Sequence, residues 1–320
     1  MNRDELTHAA GKHGLDLVGY TTSERVEARS EAEQKPSDIS EFLPGFIAIG
    51  KRIPVGVMGA ADGEPKPLAI ALVHRGLEEG AAALAYELES RDQLAVVVPS
   101  LAMDFRATTE LSLTPAGQGS PLIRAGAVEA GLGTAGLNRM VLTSGFGPRV
   151  LFGALMTSLE MSPDDPLEND LCPGLEACGR CAAICPGRAI PTEGGAGATL
   201  AQSRRLDEAA CVEHSQPYGA STFMSHTRRL FQEPDAGQAN RLIDGGRTAL
   251  LWYHMTFLRQ GAFSGCTRCL QVCPVGADFE KLQKSPFRQA DLPPDFKPHV
   301  REDNVTVDWL GGDDSTKEQC

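Results

Sequence analysis

Eight of the nine cysteines in this 320-residue chain fall between residues 172 and 273, and six of them repeat one spacing. The two runs are Cys178-x2-Cys181-x3-Cys185-Pro186 and Cys266-x2-Cys269-x3-Cys273-Pro274. Cys172 precedes the first run and Cys211 lies between them, so the eight make two sets of four. No other feature restricts the fold as tightly, because the chain must bring distant cysteines together whatever chemistry they serve.

Three chemistries use grouped cysteines. Disulfides suit oxidising compartments, and the start "MNRDELTHAAGKHGLDLVGY" has neither the apolar stretch nor the small-residue cleavage site of a secretory signal. It has no twin-arginine pair either, so a cytoplasmic, reducing location is expected. Structural zinc also uses Cys-x2-Cys pairs but has no need of a repeated Cys-Pro ending. A cubane iron–sulfur cluster does: in two-cluster bacterial ferredoxins, the cysteine before proline leaves its own run and ligates the other cluster. The spacing therefore predicts crossed ligation of two 4Fe-4S clusters. Cys172, Cys178, Cys181 and Cys273 would surround one, and Cys185, Cys211, Cys266 and Cys269 the other, with zinc as the competing reading. Five residues separate Cys172 from Cys178 where a ferredoxin has two, which makes Cys172 the odd ligand. Cys320, in a polar tail, reads as a free surface thiol.

The rest of the chain reads as two units and a tail. Residues 1–161 mix helices and strands. Helices are expected over residues 4–15, 71–92 and 120–130, and strands over 16–21, 93–100, 139–144 and 149–159, with a further strand inside 41–57. From about Ser162 the texture changes to turns and cysteines, giving a second unit over 162–287 that includes an apolar helix at 247–258. The polar, proline-rich residues 288–320 read as an extended, partly disordered tail. The net charge of −12 argues against a broad grip on nucleic acid, which relies on clustered Lys and Arg. No apolar stretch approaches the ~18 residues of a membrane span.

Gly131-x-Gly133-x-x-Gly136 matches a dinucleotide-binding fingerprint, but that motif should follow a strand and open a helix. Here a predicted helix precedes it and a predicted strand follows, so the glycines are read as letting the backbone approach something closely.

"AGAVEAGLGTAGLNRMVLTSGFGPRVLFGALMT", followed by "CGRCAAICPGRAI", "LDEAACVEH" and "SGCTRCLQVCP", resembles the epoxyqueuosine reductases and reductive dehalogenases. "HGLDLVGYT" and "FLPGFIAIGKRIPV" match in order, so the resemblance covers roughly residues 5 to 285. It implies an α+β fold in which a nitroreductase-like cobalamin-binding domain precedes a ferredoxin-like two-cluster domain. By the same resemblance Gly131, Gly133, Gly136, Gly147 and Arg149 would border a cobalamin. An external donor of ferredoxin or flavodoxin type would supply electrons, and a small organic substrate would receive them. Where epoxyqueuosine reductases carry an Asp shortly before AGLG, this chain has the uncharged "AGQGS" around Gly117 and Gln118, so tRNA is not the expected partner. No residue stands out as the proton donor. His214, Tyr218, His226 and His254 lie in or between the cysteine motifs, and Arg124 and Glu129 lie on the helix before AGLG. The alternative readings are a two-cluster electron carrier without cobalamin and a protein that reduces corrinoid for another enzyme.

Overall fold

The structure is a computed structural model that describes residues 1–29, 35–60, 65–99, 121–194, 206–215, 220–257, 266–285, 296–300 and 305–307. Tyr218, the "AGQGS" segment, Cys320 and the side chain of His254 lie outside that description.

Four strands build the first unit: β1 (Leu17–Thr22), β2 (Gly45–Arg52), β3 (Ala95–Val98) and β6 (Val150–Thr157). Their order is β1-β2-β6-β3, and each pairing is antiparallel. β2 reads "GFIAIGKR", and its first six residues are buried, as a strand covered on both faces requires. Alternate side chains go to opposite layers. Ile47 and Ile49 join Leu6, Ala9 and Ala10 of α1 (Arg3–Lys12) and Leu77, Ala81, Leu84 and Leu88 of the long helix Pro65–Glu89. Phe46 and Ala48 join Leu122, Ile123, Ala127 and Val128 of the helix Pro121–Glu129. Each fully buried Leu, Ile or Phe contributes about 1.5–3 kcal/mol by leaving water, so this sheet is the anchor of the chain.

Helix ends differ from expectation for local reasons. α1 stops at Lys12, because His13 leaves helical geometry and Gly14 turns the chain at φ +74°. The long helix begins six residues earlier than predicted, at Pro65, because prolines are tolerated in a first turn whose N–H groups lack helical partners anyway. The glycine segment does not cradle empty space. It forms a hairpin in which β4 (Thr134–Ala135) pairs with β5 (Val141–Leu142), closed by Gly136 N–H to Met140 O and Arg139 N–H to Gly136 O.

The second unit is held by short helices Gly174–Ala177, Arg180–Ala183 and Arg268–Gln271 around a core of Leu175, Ala182, Ala183, Ile184, Ile190 and Val272. Part of the tail folds back on it. β8 (His299–Val300) and β9 (Val305–Thr306) form a three-stranded sheet with β7 (Glu193–Gly194), and Val307 is buried in the same core. Residues 305–307 thus pack against the cysteine unit. The expected boundary near 161 is also bridged. Ile53, Met58 and Val73 share one apolar cluster with Leu270, Phe279 and Leu282, and Gln271 Nε2 donates to Met58 O at 2.7 Å.

Candidate metal centre

Two cavities carry the cysteines. The first is lined by Cys172, Cys178, Cys181 and Cys273. Between the helices Gly174–Ala177 and Arg180–Ala183, Gly179 takes φ +58°, a reversal that L side chains rarely adopt. That turn lies between Cys178 and Cys181, two of the cysteines on this wall. The second cavity is lined by Cys185, Cys211, Cys266 and Cys269, with His214 beside them. In each run, then, the two cysteines of the Cys-x2-Cys pair share a cavity, and the cysteine before proline lines the other one.

None of these eight cysteines is in a disulfide. Burial, compounded by the neighbouring cysteines, pushes the Cys181 and Cys269 thiols well above their ordinary range. Burial likewise raises Cys178, and Cys273 is pushed up to about 12. A half-buried group of four thiols with no disulfide is a poor core and a good ligand set, because metal charge favours the thiolate. Among the described residues, no three His, Cys, Asp or Glu side chains are gathered closely enough to hold a single ion.

The hairpin β4–β5 belongs to the first unit by sequence, yet its tip enters the second. Leu137 packs in the core of the cysteine unit, and Asn138 lines both cavities. Asn138 is 7% exposed; its Oδ1 accepts from Met140 N–H at 3.3 Å, and its Nδ2 has no hydrogen-bond partner. Nothing in the sequence marks it, since Asn is an ordinary turn residue.

The residues expected to border a corrinoid are committed to packing. A Cβ at Gly131 would lie 2.5 Å from Asp165 O, at Gly133 2.1 Å from Leu142 O, at Gly136 2.8 Å from Asn138 Oδ1, and at Gly147 1.9 Å from Val275 O. At each of these glycines the place of a Cβ is taken by neighbouring protein atoms. Arg149 is fully buried, and its guanidinium donates to Asp278 Oδ1 and Oδ2 and to the carbonyls of Leu270, Cys273 and Val275. Those five bonds use all five N–H donors, so the side chain clamps the second cysteine run and has no donor left for a cofactor.

The proton-donor candidates are dispersed. His226 Nε2 lies 2.6 Å from Thr248 Oγ1, which in turn donates to Leu242 O, so His226 ties the helix Ala220–Gln232 to its neighbours. Burial, with Arg247 and Arg229 nearby, lowers its pKa. It lines neither cysteine cavity. Glu129 is paired with Arg29, while Arg124 is half-buried and held down to about 9 by desolvation and by Arg139. Of the described histidine candidates, His214 lines a cysteine cavity and His226 does not.

No protein-family model matches the chain. It is 39% identical over 79 residues to a tetrachloroethene reductive dehalogenase of Dehalobacter restrictus, covering 25% of this chain and 14% of that protein. It is 27% identical over 208 residues to an epoxyqueuosine reductase of Listeria monocytogenes, covering 60% of this chain and 53% of that protein. The chain thus spans about half, or far less, of the length of these curated relatives. Among solved structures, a reductive dehalogenase described with a mechanism for B12-dependent dehalogenation superposes with a TM-score of 0.51 at 19% identity. That match covers 88% of this chain and 33% of the other, and it shows a shared fold.

Proposed function

We propose that this relative of the reductive dehalogenases and epoxyqueuosine reductases is an iron–sulfur oxidoreductase with two 4Fe-4S clusters. Cys172, Cys178, Cys181 and Cys273 would hold one, and Cys185, Cys211, Cys266 and Cys269 the other. The observation that carries the reading is the exchange of Cys185 and Cys273 between the two cavities, the arrangement a two-cluster protein uses to keep its clusters adjacent. When bound, such clusters supply one-electron transfer. The chain's own part is to present eight thiolates, exclude water from the buried ones, and hold the second run in place through Arg149. Cluster binding removes protons from thiols that burial keeps protonated, so loading and folding of the cysteine unit are coupled.

The electrons would enter from an external ferredoxin- or flavodoxin-type donor in the cytoplasm and reach a small organic substrate. Dehalogenation is favoured by the higher identity of the 79-residue match, and an epoxyqueuosine-type substrate by the longer one. Cobalamin as the next carrier is proposed from the relatives alone, because Gly131, Gly133, Gly136, Gly147 and the Arg149 side chain meet protein and not an open site. That packing favours a second reading, a two-cluster electron carrier without corrinoid.

Iron, acid-labile sulfide and cobalt per chain, measured on protein reconstituted without oxygen in the presence of hydroxocobalamin, test both. About eight irons with one cobalt support a corrinoid reductase, and the same iron without cobalt supports the carrier. Zinc in place of iron overturns both.

A further inference from the structure

The hairpin tip at Asn138 places an amide between the two cysteine groups, and its chemistry is unfinished. Met140 N–H is a donor, so the atom facing it must be the carbonyl oxygen, and this sets which way the amide points. The Nδ2 then lies on the other side, buried and without a partner. Leaving a buried donor unpaired costs on the order of 1–3 kcal/mol, so native proteins keep such groups where a partner outside the polypeptide completes them. Both cavities that Asn138 lines are walled by cysteines. The acceptors to be expected there are sulfurs, either thiolate or inorganic sulfide.

We infer that Asn138 donates an N–H from Nδ2 to a sulfur of one of the two clusters whose cavities it lines, and thereby sets the relative potentials of the two clusters. The inference rests on the cluster reading proposed above. Adding an electron to a cluster raises the negative charge on its sulfurs, and a hydrogen bond to sulfur stabilises that reduced state more than the oxidised one. Asn138 therefore raises the midpoint of the cluster it touches. The glycine-rich hairpin delivers this donor: Gly133 lets β4 close against Leu142, and Leu137 seats the tip in the cysteine-unit core.

The test is a redox titration of the reconstituted full chain, followed by electron paramagnetic resonance, for the parent protein and for Asn138→Ala and Asn138→Asp. Asn138→Asp keeps the shape and the acceptor for Met140 N–H but replaces the donor with an acceptor, so it guards against loss of fold in the Ala variant. The expected result is unchanged iron content with one midpoint moved to more negative potential, further for Asp than for Ala. In the Asp variant we expect about a tenfold fall in the reduced-to-oxidised ratio at fixed potential, which is about 59 mV for a one-electron couple. Full iron content with both midpoints unmoved in both variants overturns this inference and leaves the cluster reading intact. A parent protein that takes up no iron overturns both.

Discussion

Arg149 Nη2 lies 2.6 Å from Asp278 Oδ1, and its Nε lies 2.8 Å from Asp278 Oδ2, so a fully buried guanidinium at the start of the inner strand β6 is gripped at two points from beyond the second cysteine run. Because Arg149 also serves three carbonyls, removing it orphans more groups than removing its partner. Breaking a buried pair costs about 3–5 kcal/mol. Asp278→Ala is expected to lose that much in anaerobic denaturant unfolding, and Arg149→Met at least as much, with lower iron retention. A loss of under about 1 kcal/mol, the range of a solvent-exposed pair, would show that the clamp is not structural.

Crossed ligation makes a prediction that single cysteine variants cannot. If Cys178 and Cys273 serve the same cluster, the double variant Cys178→Ala with Cys273→Ala loses about four of about eight irons, no more than either single variant. If each run held its own cluster, the double variant would damage both. Iron analysis with spin quantitation separates the outcomes.

Acid sensitivity should localise to Glu87. His13 Nε2 at 2.8 Å, Arg91 Nη2 at 3.0 Å and Lys12 Nζ at 3.3 Å surround its carboxylate. The hydrogen bond from His13, then those from Arg91 and Lys12, hold its pKa down to about 2 from an ordinary 4.5, against the opposing effect of burial. A depressed folded-state pKa stabilises above the unfolded value and is lost as pH falls through the folded one. The contribution is therefore present above about pH 4.5 and disappears toward pH 2. Glu87→Gln should flatten the stability profile across that interval and lower the plateau above it. An unchanged slope would show that the cluster around Glu87 contributes nothing.

Gly147 takes φ +54°, and its missing Cβ would sit 1.9 Å from Val275 O. The left-handed backbone alone costs a non-glycine residue about 1–2 kcal/mol, and here the neighbour in the way is backbone. Gly147→Ala should loosen the joint between the sheet unit and the Cys266–Cys273 run, seen as faster proteolysis near Val275 and lower iron retention. Gly145→Ala, which meets nothing within 4 Å, should match the parent.

Much of this architecture can be read from the residues, and the parts that cannot share a cause. Regular spacing carries chemistry, so the gathering of the cysteines into two groups was legible from Cys-x2-Cys-x3-Cys-Pro. Long apolar periodicity carries packing, so the body of the helix Pro65–Glu89 was legible although its proline-bearing first turn was not. Glycine is ambiguous by nature: a bare Cα admits a cofactor face or a neighbouring carbonyl equally well. Gly131, Gly133 and Gly147, which read as a cradle, each have a backbone carbonyl where a Cβ would stand. Arg149 was singled out correctly as unusual, but only its five acceptors reveal that its work is internal. Asn138 and the strand Val305–Thr306 were invisible because each depends on a partner far away in sequence.

The exchange of Cys185 and Cys273 also imposes an order on biosynthesis. A ribosome that has made the first run has produced Cys172, Cys178 and Cys181 but not the fourth wall of their cavity, which arrives only with Cys273. The companion cavity likewise waits, holding Cys185 and Cys211 until Cys266 and Cys269 emerge. Val307, in the core beneath both, comes later still. The sheet unit can finish folding while the message is still being read, whereas iron delivery has no complete receptacle until Cys273 has emerged, and chains released before it would leave their thiols unshielded from oxygen.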